Sequence, residues 1–148
     1  MRKGVLLLVF VLVVVVVGWL LFDAGSNSDV IPDEEIFELV EAANLEAVGT
    51  YTGGGIATRV YIQPDGPFRH TVSAEISDPV EGKFYEGWLV GGFGFVSTGK
   101  MVKDGDKYVL EFESNDDMTS YGKVVITEET AANGLDGKPE AHVLEGSF

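Results

Sequence analysis

The chain has 148 residues, a formal net charge of −14 at pH 7 and no cysteine. This length suits a single domain, and the acidity argues against nucleic acid or anionic lipid as partners, because both are polyanions that are gripped by clustered Lys and Arg. The lack of cysteine excludes disulfides, iron–sulfur clusters, thiolate zinc sites, blue-copper centres and a lipid anchor carried on cysteine.

Residues 4–22, GVLLLVFVLVVVVVGWLLF, carry no charge. As a helix at about 1.5 Å per residue they would reach roughly 28 Å, close to the thickness of a bilayer's hydrocarbon core. The run is longer than the 7 to 15 residues or so of a signal-peptide core, and Phe22-Asp23-Ala24-Gly25-Ser26 makes a poor cleavage site, so an uncleaved signal anchor is favoured over a cleaved signal. Arg2 and Lys3 are the only charges ahead of it, which predicts a cytoplasmic N-terminus and a C-terminal part outside, with Trp19 at the outer interface. Met1-Arg2-Lys3-Gly4 also has a superficial likeness to a prepilin leader. The polar break at 25–32 and the absence of a glutamate near the start of the apolar run speak against that reading.

Residues 23–32, DAGSNSDVIP, read as a short tether. Pro32-Asp33-Glu34-Glu35 then resembles a helix start, and Ile36, Leu39, Val40 and Ala43 recur at helical spacing, which predicts a short amphipathic helix over 33–43. Beyond Leu45 the period changes to two, and Gly and Asp punctuate the text. Strands are expected over 47–51, 56–63, 69–76, 84–90, 95–102, 107–113, 123–128 and 142–148. Ile56, Thr58, Val60 and Ile62 share one face of their strand, as do Val72, Ala74 and Ile76, and Tyr108, Leu110 and Phe112; Arg59, Ser73, Glu75, Glu111 and Glu113 take the other. One buried and one wet face per strand predicts a mainly β fold, an antiparallel β-sandwich. The expected organisation is an anchor over 1–22, tether and short helix over 23–46, and a sandwich domain over 47–148. Turn signals stand at Pro64-Asp65-Gly66, Asp104-Gly105-Asp106, Asn133-Gly134 and Asp136-Gly137, and the second is short enough for a hairpin.

Tyr85-Glu86-Gly87-Trp88-Leu89-Val90, followed by Phe95-Val96-Ser97-Thr98-Gly99-Lys100-Met101, resembles a strand pair in the extracytoplasmic C-terminal domain of anti-sigma-K factors. Val124-Val125-Ile126-Thr127-Glu128, a glycine-containing loop with Lys138-Pro139, and Val143-Leu144-Glu145-Gly146 resemble that domain's closing pattern. The likeness runs over about residues 50–148. It implies a β-sandwich on the outer side of a prokaryotic membrane, held by one helix. Sigma-factor binding is not implied, because that family grips its sigma factor with a cytoplasmic helical domain ahead of the membrane helix, and only Met1-Arg2-Lys3 stand there in this sequence.

The chemistry legible in the residues is sparse. FYEGWLV at 84–90 reads as a central strand with Trp88 in the core rather than as an aromatic platform for a ligand, with Gly87 making room for a crossing neighbour. Alternation leaves open which of its faces is inside. The expected structural core includes Tyr85, Trp88, Leu110 and Phe112. His70 and His142, with Met101 and Met118, would make a cysteine-free metal site only if both histidines met in space, so no metal and no cofactor is expected. Ser97 and Thr98 lack a nucleophile-elbow setting. Asp104, Asp106, Asn115, Asp116, Asp117 and Asp136 fit solvated turns better than a calcium loop, and Gly53-Gly54-Gly55 lacks the Lys of a phosphate loop. The reading that results is a single-pass membrane protein whose outer domain is a non-catalytic binding or sensory module. Its partners would be the membrane and an extracytoplasmic protein, not nucleic acid. A pilin-like filament subunit is the first alternative, and an extracytoplasmic metal-dependent enzyme the second.

Overall fold

A computed structural model describes residues 37–63 and 66–148. The expected anchor over 4–22 and tether over 23–32 lie outside these residues, as do Pro64 and Asp65 of the first turn signal. Among the described residues no helix is long and apolar enough to cross a membrane.

Among the described residues, nine antiparallel strands form one sheet: β1 (Phe37–Ala47), β2 (Gly53–Gln63), β3 (Phe68–Ile76), β4 (Lys83–Gly91), β5 (Gly94–Lys100), β6 (Val102–Asp104), β7 (Lys107–Ser114), β8 (Lys123–Thr130) and β9 (Ala141–Ser147). Their spatial order is β5-β4-β8-β9-β1-β2-β3-β7-β6. The mainly β expectation holds, but a single sheet curls round the core where two separate ones were expected. Its two outermost strands are consecutive in the chain, joined through Met101 alone, so the sheet's ends meet at a seam. There the Met101 amide donates to the Tyr85 carbonyl at 2.9 Å, and the Met101 side chain is buried.

The expected helix over 33–43 is overturned, because residues 37–43 belong to β1. The strand is registered with β2 from Phe37↔Gln63 to Glu46↔Gly54. Its sequence, FELVEAANLEA, is rich in helix formers, but each is worth only a few tenths of a kcal/mol, less than a ten-residue ladder plus a buried face. That face follows period two: Ala43 and Leu45 are each 3% exposed, whereas Val40, which helical spacing would have buried, is 61% exposed. The strand expected over 47–51 does not form: Ala47 ends β1, and residues 48–52 make the turn to β2.

The face assignment holds for β3 and β7 and is reversed for β2. Ala57, Arg59 and Tyr61 point inward, opposite Val72, His70 and Phe68, while Ile56 is 55% exposed. Alternation pairs residues without saying which set faces inward; an interior guanidinium is stable here because its donors are bonded.

Arg59 Nε donates to Glu41 Oε2 at 2.7 Å, and its Nη1 donates to the carbonyls of Thr119 and Tyr121 at 3.0 and 2.8 Å. Its guanidinium lies 4.2 Å from the ring centroid of Phe148, whose amide donates to Gly122 O at 3.0 Å. These contacts bridge the weakest join of the sheet: β1 and β9 are in register only at Glu46↔Glu145 and Ala47↔Leu144. Arg59 therefore latches β1 and β2 to the β7–β8 connection and to Phe148.

Both faces of β4 are buried. Tyr85 and Leu89 join the main core with Val124, Ile126 and Leu110. Phe84, Glu86 and Trp88, on the opposite face, are 6%, 1% and 1% exposed. Trp88 Nε1 donates to Thr127 Oγ1 at 2.7 Å, and its ring meets Phe95 edge-on at 5.7 Å. Leu110 is 4% exposed, and Phe112 packs partly buried against the core. Gly87 makes room, as its type suggested, but for Thr98 and Leu110: an added Cβ would lie 2.6 Å from Thr98 Oγ1 and 2.8 Å from Leu110 Cδ1. That space admits the β5 irregularity, where Gly87↔Gly99 is followed by Trp88↔Ser97 and Thr98 is left over. At the β6–β7 hairpin, Asp104 pairs with Lys107, and Gly105 (φ 60°) supplies the positive φ that a two-residue turn needs.

Candidate functional site

At the seam, the end of β5, Met101 and β6 border a cleft of about 520 Å³. Three lysines line it, Lys83 from β4, Lys100 from β5 and Lys103 from β6, beside Phe84, Tyr85 and Tyr108. In a chain with ten basic residues and 24 acidic ones, three cations around one hollow are a local reversal of charge. Two of them are answered within the fold. Lys83 pairs with Glu128 at 3.3 Å, and Lys103 with Asp78 at 2.5 Å. Asp78 also accepts from the Tyr108 hydroxyl at 2.8 Å, and the Lys103 and Tyr108 bonds hold its carboxyl below the usual carboxylate range. Lys100 is different. Exposed, it has no carboxylate within 4.0 Å among the described residues, and its Nζ lies 4.9 Å from the Phe84 ring centroid.

The rim and floor are apolar. Met101 and Tyr108 are buried, Val102 is 64% exposed, and Pro79 adds to the lining. The Tyr85 hydroxyl donates to Ser77 O at 2.9 Å, and burial pushes its pKa up to about 12, so it stays a neutral donor. The cleft combines fixed cations with aromatic walls, which suits binding of an anionic, partly apolar group.

The residues singled out by sequence are dispersed. His70 lies inside the sheet at 0% exposed, with Nδ1 2.9 Å from Thr58 O. A carbonyl only accepts, so Nδ1 carries the proton and Nε2, which has no partner among the described residues, presents a bare lone pair. His142 sits on the outside, its Nδ1 2.5 Å from Glu145 Oε1. No group of three His, Cys, Asp or Glu able to hold a metal occurs among the described residues. Ser97 hydrogen-bonds Glu86, whose carboxyl is raised above its ordinary range by burial, with Glu129 and Asp136 adding to the effect and the Ser97 bond opposing it. Thr98 is buried with its hydroxyl unpartnered among the described residues. Asp116, Asp117 and Asp136 lie in loops, and the side chains of Asp117 and Asp136 accept backbone amides two residues on, as turn formers do. Gly53-Gly54-Gly55 lines a separate hollow of about 400 Å³ with Ser73, Glu75 and Lys107.

Sequence reasoning did not single out the lysine cleft. Lys83, Lys100 and Lys103 come from three strands, and only Lys100-Met101-Val102-Lys103 stands close in the chain.

Burial lowers the His70 pKa from 6.5 to about 4, with the Arg59 charge acting the same way and the Thr58 bond opposing both. Between those values the unfolded chain takes up a proton that the folded one refuses, so stability is full above pH 6.5 and falls as pH drops toward 4. A loss of about 3 kcal/mol is expected over this window. Urea unfolding of the fragment 27–148 at several pH values, compared with His70→Phe, checks it. The same pH slope in the variant would show that His70 is not the source.

No curated protein and no solved structure matches the chain. The sequence model of the family described as "Anti-sigma-K factor rskA, C-terminal" matches residues 5–143, nearly the whole chain, and the chain belongs to that family.

Proposed function

We infer that this member of the family is a membrane-tethered, extracytoplasmic binding or sensory module without catalytic activity, and that it holds its ligand at the seam of its β domain. The observation that carries this reading is the cleft itself, where an acidic chain gathers three of its lysines against aromatic walls. Family membership supports a regulatory role exerted through protein contacts. The uncharged run at 4–22 behind Arg2 and Lys3 supports a single membrane pass with the N-terminus inside.

Protease accessibility in intact cells, combined with a pulldown from solubilised membranes, tests the reading. The described residues are expected to be cleaved from outside, and a partner is expected to be retained by both the full chain and the fragment 27–148. Protection from external protease, or a partner held only by the full chain, would move the function to the membrane segment.

A further inference from the structure

The geometry points to an acidic, extended segment of a partner protein as the ligand of the seam cleft, with Lys100 as the cation that receives a carboxylate of that segment. This rests on the binding-module reading above and names its ligand class.

Charge gives the first argument. Lys83 and Lys103 already have carboxylate partners in Glu128 and Asp78, so each is held in place with part of its charge answered. Lys100 has no such partner among the described residues and is exposed, resting near the face of Phe84. An ammonium beside a ring face keeps its hydrogen-bond donors available, and a carboxylate arriving there satisfies them without displacing an existing ion pair. The −14 charge of the whole chain opposes an acidic ligand at long range, but the Debye length is about 8 Å at physiological ionic strength, so the nearest cations dominate once contact is made.

Shape gives the second. The cleft is bordered by β5 and β6, the two outermost strands of the sheet. Each is hydrogen-bonded in the sheet to one neighbour, β4 and β7 respectively. Edge strands offer unpaired backbone groups to an extended chain, and side chains on alternate positions of that chain can then enter adjoining pockets. The exposed side chain of Val102, with Pro79, offers an apolar rim to the remaining positions. A segment in which acidic and apolar residues alternate matches both features, whereas a small free anion would use only the lysine.

The test uses the full chain in detergent and a fluorescently labelled decapeptide of alternating glutamate and valine, blocked at both ends. Anisotropy titrations should show saturable binding that weakens with added salt. The glutamine–valine peptide should bind at least tenfold more weakly, and Lys100→Glu should weaken the glutamate peptide at least tenfold. Lys138→Glu makes the same change in net charge on the exposed β8–β9 connection and should alter affinity less than twofold. Unchanged thermal unfolding of both variants separates lost contact from lost fold. Absence of binding, equal affinity for the glutamine peptide, or equal loss in both variants would each overturn the inference. So would Lys100-dependent binding to vesicles of phosphatidylglycerol and phosphatidylcholine without binding to the peptide, which would assign the cleft to a lipid headgroup. A cellular partner whose capture by the full chain survives Lys100→Glu would leave the binding-module reading intact and remove only this ligand assignment.

Discussion

Trp88→Ala is expected to destabilise the fragment 27–148 by roughly 3 to 5 kcal/mol. The indole is 1% exposed, its N–H is bonded to Thr127 Oγ1 at 2.7 Å, and β4 carries it between β5 and β8. Truncation removes a large apolar surface from a site whose walls are fixed by two flanking strands, so the vacated space collapses only in part. It also takes the indole donor away from Thr127, whose side chain is fully buried. Trp88→Phe should recover most of the packing and lose the hydrogen bond, costing about 1 to 2 kcal/mol. Urea unfolding followed by circular dichroism measures both. A loss below about 1 kcal/mol for the alanine variant would mean that Trp88 is not a core residue.

Arg59→Ala is expected to cost about 2 to 4 kcal/mol, for a different reason. The guanidinium is buried and tied to Glu41, to two backbone carbonyls and to the Phe148 ring. Removing it strands the carbonyls of Thr119 and Tyr121 and loosens the join that β1 and β9 make at only two registered pairs. The Glu41 side chain is one-third exposed, so its carboxylate can return to water, and most of the expected loss lies in the carbonyls and the ring contact. A double-mutant cycle with Glu41→Ala separates these parts: the Glu41 exchange should cost less in the Arg59→Ala background than in the wild type. Trp88 is the only tryptophan of the fragment 27–148, so its fluorescence reports unfolding in this series. An Arg59→Ala protein within 1 kcal/mol of wild type would show that the β1–β9 join does not depend on the latch.

With total stabilities of 5 to 15 kcal/mol or so for domains of ordinary size, either substitution removes a large fraction. The two residues act at opposite regions of the sheet, Trp88 on the β4–β8 side and Arg59 on the β1–β2 side. Neither lines the seam cleft, so the Lys100 exchange can be read as a binding effect.

Much of the fold was legible in the residues because its signals are local. Alternation over residues 69–76 and 107–113, the Asp104-Gly105-Asp106 hairpin and the β-rich text after Leu45 are matters of neighbouring side chains and backbone preference, and they hold in the structure. The resemblance carried by residues 85–101 and 124–146 anticipated the family. Where local and long-range forces disagree, the sequence misled. Leu39, Val40 and Ala43 carry a helical period in a helix-forming text, yet pairing with β2 makes that segment a strand. Ile56 and Arg59 have the polarity of a core residue and a surface residue, yet register with β3 and the partners waiting for the guanidinium reverse them.

By itself the sequence determined composition, charge, the absence of thiol chemistry, the β character of the domain and its family, all of which are written in residue types and short spacings. The tertiary structure alone decided that one sheet curls until its outermost strands meet, which faces turn inward, and that lysines 17 and 20 positions apart along the chain from Lys83 share one cleft with it. Those outcomes depend on pairings between distant strands, and a pairing energy exists only once both partners are in place.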